Sequence, residues 1–284
     1  MSFTTFQILN GLTFAALLFL VASGFTLIFG LMRIVNLAHG AMYLMGGYVA
    51  YFAAIASDSF LLGLAAAAVA IALLGLVEQS LLRFVRGVEL RQVLMTLGLA
   101  LMINDAALVI FGGDTFTVPI PDILKGPLEF LGITYPRYRL FVLAVGILVL
   151  VLLWLLMNRT RLGALIRAGV DDPETVEAMG VNIRKVFVAT FMLGMALAGV
   201  AGALGGAFLS LYPSADSEIL VYSLAVVIIG GRGSLGGAAV GSLAVAMLST
   251  FGQVWFPELS YFVIFGPMAL LLAFRPTGLF GRPA

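Results

Sequence analysis

Six stretches of this 284-residue chain contain no Asp, Glu, Lys or Arg: residues 3–32, 34–57, 59–77, 140–158, 186–215 and 233–257. Each is close to, or longer than, the roughly 20 apolar residues a helix needs to cross a ~30 Å hydrocarbon core. Segments in lipid must satisfy their own backbone polar groups, which leaves helices or a closed barrel. These runs are continuous rather than alternating with period two, so they specify helices. The chain is also 62% hydrophobic and only 10% charged, against about 25% charged residues in soluble domains. A soluble globular fold is excluded. The expected fold is all-α, a polytopic transmembrane bundle of about eight or nine spans forming one membrane domain over residues 1–284.

The spans read from hydropathy are 7–31, 34–56, 60–82, 92–112, 139–157, 186–211, 218–231, 234–254 and 258–274. Short cytoplasmic loops collect Lys and Arg. With the N-terminus outside and strict alternation, the inner side receives Arg33, Arg83, Arg86, Arg91, Arg159, Arg161, Arg167, Arg184, Lys185, Arg232, Arg275 and Arg282. The outer side keeps Lys125, Arg137 and Arg139. That bias puts the 159–185 loop and the C-terminus in the cytoplasm. The first apolar run lacks the basic start of a cleaved signal peptide and is read as a span. Segment 34–56 follows 7–31 with no loop between them, and 218–231 is short. Either pair is compatible with one broken or re-entrant element. Residues 113–138 hold four of the ten prolines and read as an ordered external loop that receives an outside partner, or as a plain connector.

The charged loop carries its own local code. Asp171, Asp172, Pro173 and Glu174 form a helix start, with an Asp N-cap, Pro at the first position and an acid in the first turn. Gly180 is a natural stop. About seven helical residues are too few to persist alone, so this helix needs a surface to pack on. Val176, Ala178 and Met179 offer an apolar face, with Glu174 and Glu177 beside it. Helices that lie on membranes usually carry Lys and Arg on the polar face. Acids here favour docking into a soluble protein over lying on lipid.

Four motifs then carry a resemblance: E-A-M-G-V-N at 177–182, R-I-V-N-L-A-H-G at 33–40, I-I-G-G-R-G-S-L-G-G-A-A-V-G at 228–241 and R-P-T-G-L-F-G at 275–281. In this order, over essentially the whole chain, they resemble the permeases of bacterial ABC importers for branched-chain amino acids, of the LivH type. The Leu-Pro pair that follows the loop glycine in the wider importer consensus is missing, as is usual in that branch. The resemblance implies a multi-pass protein of the bacterial inner membrane, without enzymatic activity of its own. Two ABC ATPase subunits would dock on Asp171, Asp172, Pro173, Glu174, Glu177, Ala178, Met179 and Gly180. They would bind ATP and Mg, while this chain binds no cofactor. The chain has no phosphate-cradling G-x-x-x-x-G-K-[ST] sequence. Further implied partners are a second homologous permease, an external substrate-binding protein and the lipid bilayer; no nucleic acid is expected. Permeases for urea and short-chain amides share the pattern, which leaves the substrate open.

Glycine concentrates at 24–47 and 228–241. Gly46/Gly47, Gly199/Gly202 and Gly205/Gly206 fit close helix packing, whereas GGRGSLGG is dense enough to break a helix and bare its backbone. Broken segments in two halves of a transporter point to its binding site. The expected substrate path is therefore Asn36, His39 and Gly40 in the first half and Gly230, Gly231, Gly233 and Ser234 in the second. For His39 the alternative is a structural hydrogen bond. Arg33 and Arg232 read more simply as helix-end anchors. Asp105, beside Asn104, is a carboxylate inside a span: a functional group, or one held by Asn104 or a nearby Thr. Glu78 is accounted for by snorkelling or by pairing with Arg83. An ion-coupled carrier is the second functional class, although one His and Asp105 are thin material for it. With no Cys and no paired carboxylates in a span, an integral membrane enzyme lacks a metal site or a nucleophile–base pair.

Overall fold

A computed structural model describes residues 3–32, 35–85, 87–130, 133–231 and 233–281. Arg33, Arg86, Arg232 and Arg282 lie outside the described residues. The first four helices are α1 (Phe3–Met32), α2 (Ala38–Ser57), α3 (Phe60–Leu82) and α4 (Glu89–Phe111). A short hairpin, β1 (Pro127–Phe130) and β2 (Ile133–Pro136), precedes α5 (Arg137–Arg159). Two brief helices, α6 (Arg161–Asp171) and α7 (Pro173–Ala178), lead into α8 (Ile183–Phe208), α9 (Ala215–Gly230), α10 (Leu235–Trp255) and α11 (Ser260–Phe274). Among the described residues, α1–α5, α8 and α10 are each long and apolar enough to span a bilayer. The protein is thus an all-α polytopic bundle, and α9 and α11 are its shorter members.

Burial sorts the helices. α1, α2 and α8 form the centre, where Leu17, Leu20, Tyr43, Tyr48 and Phe191 are sealed from solvent. α3, α4 and α5 turn wide apolar faces outward, with Leu61, Val69, Met102, Val109 and Leu148 exposed. Those faces suit lipid tails. The centre is closed by small residues, because helices in lipid gain little from apolar burial and must pack backbone to backbone. α1 and α8 cross where Gly24 meets Gly194, and α2 and α8 cross where Gly46 meets Gly199. A Cβ on Gly202 would overlap the Tyr43 carbonyl.

The bundle has two distinct ends. At one, the loop end, α5 passes into α6 and α7, and Gly30 near the close of α1 touches Gly233 ahead of α10. At the other, the hairpin end, Tyr135 of β2 reaches Asn10 and Thr13 of α1, each at 3.1 Å. Phe116 pairs there with Leu211. Of the described basic residues, Arg83, Arg91, Arg159, Arg161, Arg167, Arg184, Lys185 and Arg275 fall at the loop end, while Lys125, Arg137 and Arg139 fall at the hairpin end. Within the described part of the 113–138 connection, Lys125 and Asp122 form an ion pair at 2.6 Å beside the hairpin.

Two helices begin inside the bundle. The Leu37 amide before α2 donates to Thr96 Oγ1 (3.2 Å), seven residues or ~10 Å in from the start of α4. Asp216, in the first turn of α9, accepts from Asn104 Nδ2 (2.7 Å), seven residues short of the other end of α4. The segment leading to α9 is conformationally unusual: Ser210 (φ 67°) and Ser214 (φ 80°) are both left-handed, a region that non-glycine residues seldom enter. The second interior start therefore lies at 209–214 and not at 228–241, where glycine density had placed it.

Candidate functional site

At the loop end, residues 159–185 are folded more fully than a loop. Thr160 Oγ1 accepts from the Gly163 amide (3.2 Å) and caps α6. Leu162, Leu165 and Ile166 then face inward at helical spacing, and Gly163 and Gly169 allow close approach to Met157 and Ile183. α7 forms as its residues prescribe. Asp172 Oδ1 accepts from the Thr175 amide (3.0 Å), Pro173 takes the first position, and Gly180 stops the helix at φ 83°. The Thr175 hydroxyl, followed by its amide, holds the Asp172 carboxyl below the ordinary aspartate range.

The expected apolar face of α7 is divided. Val176 is buried against Ile166, Ile183 and Val186, so the short helix packs on its own chain. Glu174, Glu177 and Ala178 are exposed, with Met179 at 76%. The presented surface is acidic, with one methionine at its edge.

The residues expected to line the substrate path do not come together. Asn36 Oδ1 accepts from the Ala38 amide (2.9 Å) at the start of α2. His39 is wholly buried, donates from Nε2 to the Val21 carbonyl (3.0 Å) and meets Phe25 edge-on. Gly40 lies against the Asp216 carbonyl. Gly230, Gly231, Gly233 and Ser234 lie at the loop end, where the backbone the glycines would bare is already used. Leu279 and Phe280 donate to the Ile229 and Gly230 carbonyls at 2.9 and 3.0 Å. Gly231, at φ 98°, leaves room only for the passing Phe280–Gly281 backbone. Ser234 Oγ caps α10 by accepting from the Gly237 amide (3.0 Å). The 228–241 and 275–281 motifs thus meet each other.

The intramembrane polar residues also need correction. Asp105 is exposed on the outer face of α4, and the partner of Asn104 is Asp216. Glu78 neither snorkels nor pairs with Arg83: it is 2% exposed, and Arg83 Nε donates to the Ser80 carbonyl. Asn36 approaches the Glu78 carboxylate without meeting hydrogen-bond geometry among the described residues. Asp216 escaped the sequence reading because it stands between two spans, in a segment taken for a loop.

At the hairpin end, side chains of α1, α2, α5, α8, α9 and α10 line an open-sided cavity of about 380 Å³. Arg139, in the first turn of α5, donates to Asn10 Oδ1 and stacks 4.9 Å from the Phe208 ring centroid. Glu218 Oε2 accepts from the Tyr212 hydroxyl (2.9 Å). Among the described residues Arg139 and Glu218 have no ion-pair partner, although both line this space. In the sequence Arg139 is one of three outer basic residues, and nothing local marks Glu218. Their shared cavity depends on helices more than seventy residues apart.

Residues 7–272 match the family described as the branched-chain amino acid transport system permease component. The chain belongs to that family. It is 31% identical to the high-affinity branched-chain amino acid transport system permease protein BraD of Pseudomonas aeruginosa, over 98% of this chain and 95% of BraD. It is 26% identical to LivH of Salmonella typhimurium, a protein of the same description, over 98% of this chain and 95% of LivH. A shorter match, 35% over 37% of this chain and 31% of the relative, is to the fructose import permease protein FrcC of Rhizobium meliloti. No solved structure shows a significant match. As a permease component, the chain is a multi-pass membrane subunit of a transport system, and both the α6–α7 unit and the cavity lie within the span shared with BraD and LivH.

Proposed function

We propose that this permease is the membrane subunit of an ATP-driven importer that carries leucine, isoleucine and valine across the bacterial inner membrane by alternating access. The observation that carries this reading is the match to BraD and LivH along almost the whole chain, including the charged segment between α5 and α8. In this reading α7 is the docking element. Of two ABC ATPase subunits, one receives Asp171, Asp172, Pro173, Glu174, Glu177, Ala178, Met179 and Gly180 in a surface cleft while the other serves the second permease, and ATP and Mg sit on those subunits. The packing of Val176 onto α6 and α8 supports a mechanical role, because a push on α7 reaches the start of a central helix without an intervening flexible link. A second homologous permease and an external substrate-binding protein complete the assembly. The loop end and C-terminus face the cytoplasm, in keeping with the basic residues gathered there. The cavity, with one cation and one anion lacking ion-pair partners, favours a zwitterionic amino acid over neutral urea or an amide.

The test is affinity purification of the tagged full chain from detergent, compared with a variant whose residues 171–180 are replaced by Gly and Ser. P-loop ATPases should copurify with wild type only. Equal recovery with both proteins would remove α7 from the docking role.

A further inference from the structure

We infer that the hairpin-end cavity is a binding site for the α-amino acid zwitterion, with Arg139 holding the carboxylate and Glu218 the ammonium group. This deepens the proposed function and rests on it. Among the described residues the only ion pair is Lys125–Asp122 on the surface, yet Arg139 and Glu218 line one cavity without approaching to within 4 Å of each other. A bundle that leaves opposite charges apart across a gap keeps both available to a ligand carrying both signs.

Each charge is positioned by a neighbour. Asn10 accepts from the Arg139 guanidinium, and Phe208 supports its plane, so its remaining donors are steered toward the space. Tyr212 donates to Glu218 Oε2, leaving acceptor capacity on the carboxylate for an ammonium group. Phe14 and Phe208 supply apolar wall for a branched side chain. The volume of about 380 Å³ falls within the ~300–1,000 Å³ typical of small-molecule sites. Charge-assisted contacts at both ends of a zwitterion select it over analogues lacking either group.

A diazirine analogue of leucine, photolysed with the full-length protein in lipid nanodiscs and mapped by peptide mass spectrometry, tests the site. Adducts should fall on α1, α8 and α9 peptides that line the cavity. Excess L-leucine should compete at least about tenfold better than leucinamide, which lacks the carboxylate, or 4-methylpentanoate, which lacks the ammonium group. Arg139→Gln and Glu218→Gln should each cut labelling by about tenfold. Glu218→Gln keeps an acceptor for Tyr212 and alters an exposed side chain, so its fold is unaffected, and Arg139→Lys should restore part of the signal. Adducts elsewhere, or labelling unchanged in both variants, would overturn the site. Uptake of labelled leucine by the wild-type transporter assembled with its partners separates the two levels of the argument. Uptake without cavity labelling removes the site alone, whereas absence of both removes the branched-chain reading with it.

Discussion

The two ends of the bundle are built by opposite means. The charged segment at the loop end is local: α6 and α7 are capped by Thr160 and Asp172, stopped by Gly180, and packed on residues close in sequence. The hairpin end is assembled: its cavity takes side chains from six helices, and each of its charges depends on a contact from another part of the chain or from a turn. A locally specified surface can be presented to a partner and pushed without disturbing the core. An assembled cavity changes shape whenever its helices shift, and alternating access requires that.

Replacing 171–180 with Gly and Ser has the largest expected effect. It should abolish ATP-dependent uptake while membrane insertion, followed by yield and size-exclusion profile, stays at the wild-type level. A comparable loss should follow Gly202→Leu for a different reason. The new side chain has no room beside the Tyr43 backbone, and overpacking on this scale costs about 3 kcal/mol or more. Thermal stability should fall along with the functions of both ends, which distinguishes a core lesion from an end lesion. Asn104→Ala should destabilise by about 1–3 kcal/mol, because buried Asp216 then loses that bond; thermal unfolding of the detergent-purified protein reads this directly. The smallest effect is at the cap. Asp172→Asn should preserve coupling and Asp172→Ala should weaken it modestly. Because the Asp172 carboxyl titrates below the ordinary aspartate range, the charged cap persists through that range and is lost only as pH falls below it. Coupled ATPase activity measured against pH checks the direction.

What the sequence made legible follows the same division. The seven described helices long enough to span, the α7 cap and its stop depend on neighbours within a few residues, and local pattern reveals such features. α6 was missed because Gly163 and Gly169 weaken its helical signal, although they are there for close packing against Met157 and Ile183. Glycine density at 228–241 marked a real break but not its purpose, since the tail at 275–281 that occupies it comes from over thirty residues away. The interior start of α9 was hidden for the converse reason: two serines, not glycines, take the left-handed turns. Asp105 lies inside a span as hydropathy indicates, but only the packing of α4 shows that it turns outward and Asn104 inward. The cavity charges left no local signature at all.

The most direct test of this division of labour is the concentration dependence of labelled leucine uptake in proteoliposomes holding the complete transporter, measured for wild type, Glu177→Lys and Glu218→Gln. Glu177→Lys should lower the maximal rate with the half-saturating concentration unchanged. Glu218→Gln should raise the half-saturating concentration about tenfold while ATP hydrolysis by the partners is retained. If both variants changed the same parameter, or Glu177→Lys transported normally, the assignment of coupling to one end and selection to the other would be contradicted.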